Sequence, residues 1–222
     1  MGITQTTLIK KIIMALTGLF LAFFLIIHLL GNLQLLLPEQ EGHLQFNAYS
    51  HLLGGNIIIK MVSYVLYASI LFHAFDALIL FIENRKANDQ NYKTDNRAEV
   101  SGWISRNMGI LGSLILIFLV IHFKDYWYVY KFGSPPLDAD GNKDLYTIVI
   151  NSFQELWYVV LYVIAIIALG LHLMHGVSSA FRTLGVYHLK FIKWIKYGGY
   201  AFSILITTGF TIIPIIIYLK QL

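Results

Sequence analysis

The sequence predicts an all-α integral membrane protein with five transmembrane helices, the first four packed as a bundle around buried polar side chains. Three observations carry that prediction. Of the 222 residues, 57% are hydrophobic and only 13% are charged. Mean hydropathy is +0.66, beyond the range of a water-soluble domain. The charged residues are also segregated, leaving five long runs that hold at most one of them, each near the length that crosses a bilayer.

Taken in order, the spans fall at about 10–37, 57–82, 104–127, 155–181 and 197–219. Residues 12–38 carry no charge and exceed the apolar core of a signal peptide, so a retained span is expected there. The second rests on residues 61–82, interrupted by Asp76 alone. Charge-free residues 107–123, 156–181 and 197–219 give the other three, and Pro214 sets an expected kink in the fifth. Between the third and fourth, Gly133-Ser134-Pro135-Pro136 with Asp138, Asp140 and Gly141 reads as a long turn. Trp127, Tyr128, Tyr130, Trp157 and Tyr158 read as interfacial anchors.

Basic residues orient the spans. The N-terminal tail and the loops at 83–106 and 182–196 hold 11 of the 16 Lys and Arg, and the opposite side holds Lys60, Lys124, Lys131, Lys143 and Lys220. The N-terminus is therefore expected on the cytoplasmic side. The net charge of +4 follows from this asymmetry, and no basic stretch has the aromatic interleaving of a nucleic-acid surface. With no cysteine, thiolate zinc sites and cysteine-ligated clusters are excluded, and metal binding falls to histidine or carboxylate.

Four histidines, His28, His73, His122 and His172, lie one apiece in the first four spans. Imidazole is costly in hydrocarbon and marks function by default; the ordinary alternative is an interhelical hydrogen bond. Their depths form two sets. His28 is 17 residues from Lys11 and His122 is 16 from Arg106, about 25 Å along a helix. His73 is 10 from Glu83 and His172 is 10 from Arg182, about 15 Å. Two levels with two histidines each suit two stacked hemes, because axial ligands of one iron approach from different helices at one depth. The expected pairs are His28 with His122 and His73 with His172, which sets spans one and three, and spans two and four, on the diagonals. Gly31, Ala77, Gly170 and Gly176 beside them suit a bulky macrocycle or close helix packing. A carboxylate-bridged dimetal site needs more acids than Asp76. A histidine-dependent transporter is the alternative outside electron transfer.

At these residues the chain resembles the cytochrome b membrane-anchor subunit of succinate dehydrogenase and fumarate reductase, of the five-helix, two-heme, single-polypeptide type. The motifs are Thr17-Gly18 ahead of His28-Leu29-Leu30-Gly31-Asn32, then Phe72-His73-Ala74-Phe75, Ile121-His122-Phe123, and His172-Leu173-Met174-His175-Gly176 leading to Arg182. His172 and His175 compete as ligand; the family's glycine four residues after its ligand selects His172, in agreement with the depth match. The resemblance implies two heme b groups bound by His28, His122, His73 and His172. Propionate contacts would come from His175, Arg182, Ser178 and Ser179 at the inner level, and from Lys124, Tyr126 and Trp127 at the outer. It also implies docking to separate iron–sulfur and flavoprotein subunits, for which the basic loops at 85–106 and 182–196 are the candidate face.

Electrons would then pass from the inner to the outer heme and reduce quinone near the outer surface of a bacterial cytoplasmic membrane. Candidate quinone residues are Glu39, His43 and His51, with Glu41, Gln45 and Asn47 in the same loop. Some fumarate reductases of the family carry a membrane glutamate two residues before the span-four ligand. Gly170 stands there, which leans toward succinate oxidation with menaquinone as acceptor. Asp76, three residues after His73, either bonds locally or lines a proton path. Within electron transfer, the membrane cytochrome of a hydrogenase or formate dehydrogenase is the alternative.

Overall fold

The structure, a computed structural model, describes residues 3–88, 102–186 and 190–222. Among them the protein is helical, with five helices long and apolar enough to cross a membrane, and it is a multi-pass membrane protein. Helix α1 (Ile3–Asn32) runs into a 3₁₀ turn at Leu33–Leu36; α2 is Glu39–Gly55 and α3 is Ile57–Asn88. After the short α4 (Trp103–Arg106), α5 (Met108–His122) continues without a break through a π-helical turn, Phe123–Tyr128, into α6 (Val129–Phe132). Then come α7 (Leu145–Ser152), α8 (Leu156–Thr183) and α9 (Ile192–Leu219).

The membrane-crossing segments are Thr7–Leu36, Ile57–Glu83, Met108–Phe132, Leu156–Thr183 and Ile192–Leu219. The third runs further than the charge-free run predicts, because the π turn carries Lys124 and Asp125 within an unbroken helix. The fifth starts earlier and remains helical through the buried Pro214 to Leu219.

Four spans form the bundle. Helix α1 packs chiefly on α3 and α8, and α5 on α8 and α3, so α1 and α5 sit on one diagonal and α3 and α8 on the other. Helix α9 lies outside this square against α8 and α1. Its seam is built for close approach. A Cβ on Gly170 would collide with the Thr207 hydroxyl, one on Gly209 would come 2.7 Å from Leu29 Cδ2, and the buried Ser203 hydroxyl donates to the Gly170 carbonyl. Small residues let helix backbones approach and replace the hydrophobic drive that lipid does not supply.

At one end, Lys10 of α1 pairs with Glu83 of α3. At the other, the connections are folded. Asp144 caps α7 by accepting from the Thr147 amide at 3.1 Å, and the same oxygen accepts from Asn47 at 3.1 Å and His43 at 2.8 Å. Asn47, fully buried, accepts in turn from the Tyr146 amide at 2.9 Å. Thus α2, expected as an extramembrane loop, is a helix riveted to α7. The ordinary pKa of Asp144 is displaced in two directions. Burial alone would raise it, but hydrogen bonds from Thr147, Asn47 and His43 outweigh that and hold the carboxyl at about 2.

Candidate heme-ligating histidines

The bundle brings the four span histidines together in two pairs. His28 and His122, on the α1/α5 diagonal, have ring centres 5.7 Å apart with planes at 87°. His73 and His172, on the α3/α8 diagonal, are 6.1 Å apart with planes at 67°. All four are partly buried, while Phe23, Leu30, Phe72 and Val120 nearby on the same helices are exposed. The imidazoles therefore face the bundle interior and the hydrocarbon residues face outward, as a lipid-facing helix requires.

Each pair has one ring fixed by a hydroxyl through Nδ1. His73 Nδ1 lies 3.2 Å from Thr17 Oγ1, and Thr17 itself donates to the Ile13 and Met14 carbonyls, so the ring donates and the threonine accepts. Gly18 completes this contact: a Cβ there would stand 3.1 Å from His73 Cε1. His122 Nδ1 lies 3.1 Å from the Tyr162 hydroxyl. Fixing Nδ1–H leaves Nε2 as the bare, ligating nitrogen, the usual outer-sphere arrangement of a metal-bound histidine.

The partner rings are held differently. His28 stacks on Phe24 at 5.3 Å and meets Phe210 of α9 at 5.6 Å. The Asn32 amide nitrogen is 3.5 Å from its Nδ1 and donates to its carbonyl at 2.8 Å. His172 Nδ1 is buried with no hydrogen-bond partner, an orphaned polar atom that calls for an explanation.

The donor set fits a bis-histidine iron at each level. Two imidazoles bonded to opposite sides of one metal at about 2 Å have ring centres about 6 Å apart, the separation of both pairs. Among the described residues no group of three or more His, Asp or Glu side chains converges on a point, so the histidines are organised as pairs.

The residues expected as propionate contacts lie on the same helices as the histidines. At the His122 level, the Tyr126 hydroxyl is buried without a partner, its ring 5.4 Å from His122. Lys124 is exposed and pairs with Asp125 at 3.3 Å, and Trp127 donates to the Tyr67 hydroxyl at 2.7 Å. At the other level His175 is partly buried, Ser178 donates to its carbonyl at 3.2 Å, and exposed Arg182 donates to the Ser178 carbonyl at 3.3 Å. Ser179 accepts through its carbonyl from Thr183 at 3.0 Å.

Glu39, His43 and His51 all lie on α2, with Glu39 and His43 one turn apart. Glu39 is exposed in the first turn of α2, His43 is held by Asp144, and His51 is exposed near the helix end. Of the candidate docking loops, 89–101 with Lys93 and Arg97, and 187–189, lie outside the described residues. Asp76 is buried with Oδ2 unpartnered.

Of the small residues expected to make room for a macrocycle, Gly176 faces open space. Gly31 is occupied differently: the Tyr49 ring of α2 presses against it, and the Tyr49 hydroxyl donates to the Ile27 carbonyl at 3.2 Å. Gly170 faces Thr207, as above.

Tyr158, expected as an interfacial anchor, is buried; its hydroxyl donates to Asp125 Oδ2 at 3.0 Å and stands 3.2 Å from the Tyr162 hydroxyl. Sequence reasoning missed Tyr162, Phe24 and Phe210. Tyr162 follows Tyr158 by four residues, the helical spacing that puts two side chains on one face, and that signal was available. Comparison with protein families, with curated proteins and with solved structures finds no match to this chain.

Proposed function

We propose that this protein is a di-heme cytochrome b that carries electrons across a bacterial cytoplasmic membrane, with its N-terminus inside. The observation that carries the reading is the pairing of four intramembrane histidines on the two diagonals, with ring centres 5.7 and 6.1 Å apart. His73 and His172 hold the inner heme b, and His28 and His122 the outer. Heme iron held by two histidines would supply one-electron transfer. Thr17 and Tyr162 orient one ligand in each pair, Gly18 admits the His73 ring, and Phe24 with Phe210 shields His28 from lipid.

The resemblance in motif order supports a finer reading. The chain is the membrane anchor of a succinate:menaquinone oxidoreductase, docking an iron–sulfur subunit and a flavoprotein on its basic face and reducing quinone on the outer side. Succinate would be oxidised on the flavoprotein. Space at Gly170 favours that direction: Thr207 and the Ser203 bond fill the position, so a longer acidic side chain has no room without separating α8 from α9.

The test is the reduced-minus-oxidised visible spectrum of the protein purified from its native membrane with whatever co-purifies. A b-type band with iron–sulfur and flavin subunits in the preparation supports the full reading. A b-type band with a hydrogenase or formate dehydrogenase supports electron transfer and overturns the succinate assignment. A preparation without visible absorption overturns both and favours a transporter.

A further inference from the structure

We propose that Tyr162, Tyr158 and Asp125 form a hydrogen-bonded line that connects the outer ligand His122 to a carboxylate near the membrane boundary and holds down the reduction potential of the outer heme. The inference rests on the di-heme reading above. The links are His122 Nδ1 to the Tyr162 hydroxyl at 3.1 Å, Tyr162 to the Tyr158 hydroxyl at 3.2 Å, and Tyr158 to Asp125 Oδ2 at 3.0 Å. The other Asp125 oxygen meets Lys124 at 3.3 Å.

The direction of every proton in this line follows from its end. Asp125 Oδ2 accepts from the Tyr158 hydroxyl, so Tyr158 spends its one hydroxyl proton there. Tyr162 must then donate to Tyr158, and the Tyr162 oxygen must accept from His122 Nδ1–H. His122 is left with a bare Nε2, the tautomer that binds iron. Asp125 thus selects the tautomer through two intervening hydroxyls.

The line is also built rigidly. Tyr158 and Tyr162 are 5% and 6% exposed, one turn apart on α8. The Tyr162 ring is clamped by Phe118 at 4.8 Å and Phe153 at 4.9 Å. Asp125 sits in the π-helical turn that follows His122, and such turns recur at functional sites. Asp125 is 26% exposed and Lys124 79%, so the line runs from the bundle interior to the polar boundary.

At the other three histidines the nearest Nδ1 partner is a threonine hydroxyl, a distant amide nitrogen or nothing. His122 alone among the four is joined to a carboxylate by a line of hydrogen bonds. A carboxylate acting on a ligand's Nδ1–H makes the imidazole more basic, which favours the oxidised iron and lowers the potential. The protons on His122, Tyr162 and Tyr158 would stay where they are through a one-electron change at a bound heme. Tyr162, Tyr158 and Asp125 are positioning residues, acting through His122.

The experiment is a redox titration of the purified wild-type protein and of Tyr162→Phe and Asp125→Asn, resolving the two hemes. Tyr162→Phe cuts the line at its first link; Asp125→Asn keeps an acceptor for Tyr158 and removes the charge. Both variants should raise the outer potential, shifting its oxidised-to-reduced ratio at fixed applied potential by about threefold to tenfold, where tenfold is about 59 mV for one electron. The inner heme of the same sample should not move.

If Tyr162→Phe sheds the outer heme, the same shift in Asp125→Asn supports the line and its absence overturns it. Two bound hemes whose potentials ignore both variants, or shift together, overturn the line and leave the di-heme reading intact. A wild-type chain without heme overturns that reading and the line with it.

Discussion

The ligand rings carry the account at the scale of the residue, and single substitutions separate the two levels. His122→Ala should remove the outer heme and leave the inner, because the inner ligands stand on α3 and α8 and His73 is held by Thr17 and Gly18 of α1. Heme content should fall from two per chain to one, with one potential retained. Gly18→Leu should act on the opposite level. Even a Cβ there comes within 3.1 Å of His73 Cε1, and a larger side chain displaces the ring, so the inner heme should be lost while the outer titrates as before.

Residue depth was legible in the sequence because a helix converts spacing into distance, and four histidines measured from charged edges sort themselves without further information. What fixes each ring was only partly legible. Thr17-Gly18 stood out as a motif; Tyr162 carries only its helical spacing from Tyr158, and its role depends on a neighbour in another helix. Tyr158 shows the same difficulty. A tyrosine near a span end has the composition of an interfacial anchor, and only the packing of α5 on α8 turns it inward.

Among the elements, the seam between α8 and α9 makes a sharp prediction. Gly170→Ala places a methyl against the partly buried Thr207 side chain, and overpacking of this kind costs about 1–3 kcal/mol. Thermal unfolding in detergent should show that loss, and adding Thr207→Ala should recover most of it.

The rivet between α2 and α7 responds to acid. Asp144, with its pKa near 2 in the folded protein and about 3.9 in the unfolded chain, stabilises the structure above pH 4. That contribution is lost progressively as pH falls from about 4 to about 2. Asp144→Asn should lose about 1–3 kcal/mol at neutral pH and flatten the acid limb of a stability curve measured in micelles.

Neither α2 nor α7 was visible as an element in advance. Glu39 to Gly55 is polar enough to read as loop, and its helix is held by Asn47, Asp144 and Tyr49 across long sequence separations. The π turn is hidden for a related reason: one residue inserted into a helical repeat leaves no periodic signal in a span that is apolar on every side.

For the whole molecule, the proposed orientation, argued from the basic asymmetry, has the α2/α7 end outside and the Lys10–Glu83 end inside. With no native cysteine, single cysteines report sidedness directly. Ser134→Cys in the exposed turn before α7 should react with an impermeant maleimide in intact cells, and Thr183→Cys at the end of α8 only after permeabilisation. The reverse pattern would invert the topology and with it the order of the hemes. The fifth helix has a part that its lack of histidine concealed, since Phe210 covers His28 and Gly209 admits Leu29.

The central claim is that four histidines in two diagonal pairs hold two hemes in one polypeptide. A pyridine hemochrome assay of the purified protein, normalised to chain concentration by amino-acid analysis, tests it most directly. The account predicts two b-type hemes per chain; one heme would break the pairing, and none would contradict the account altogether.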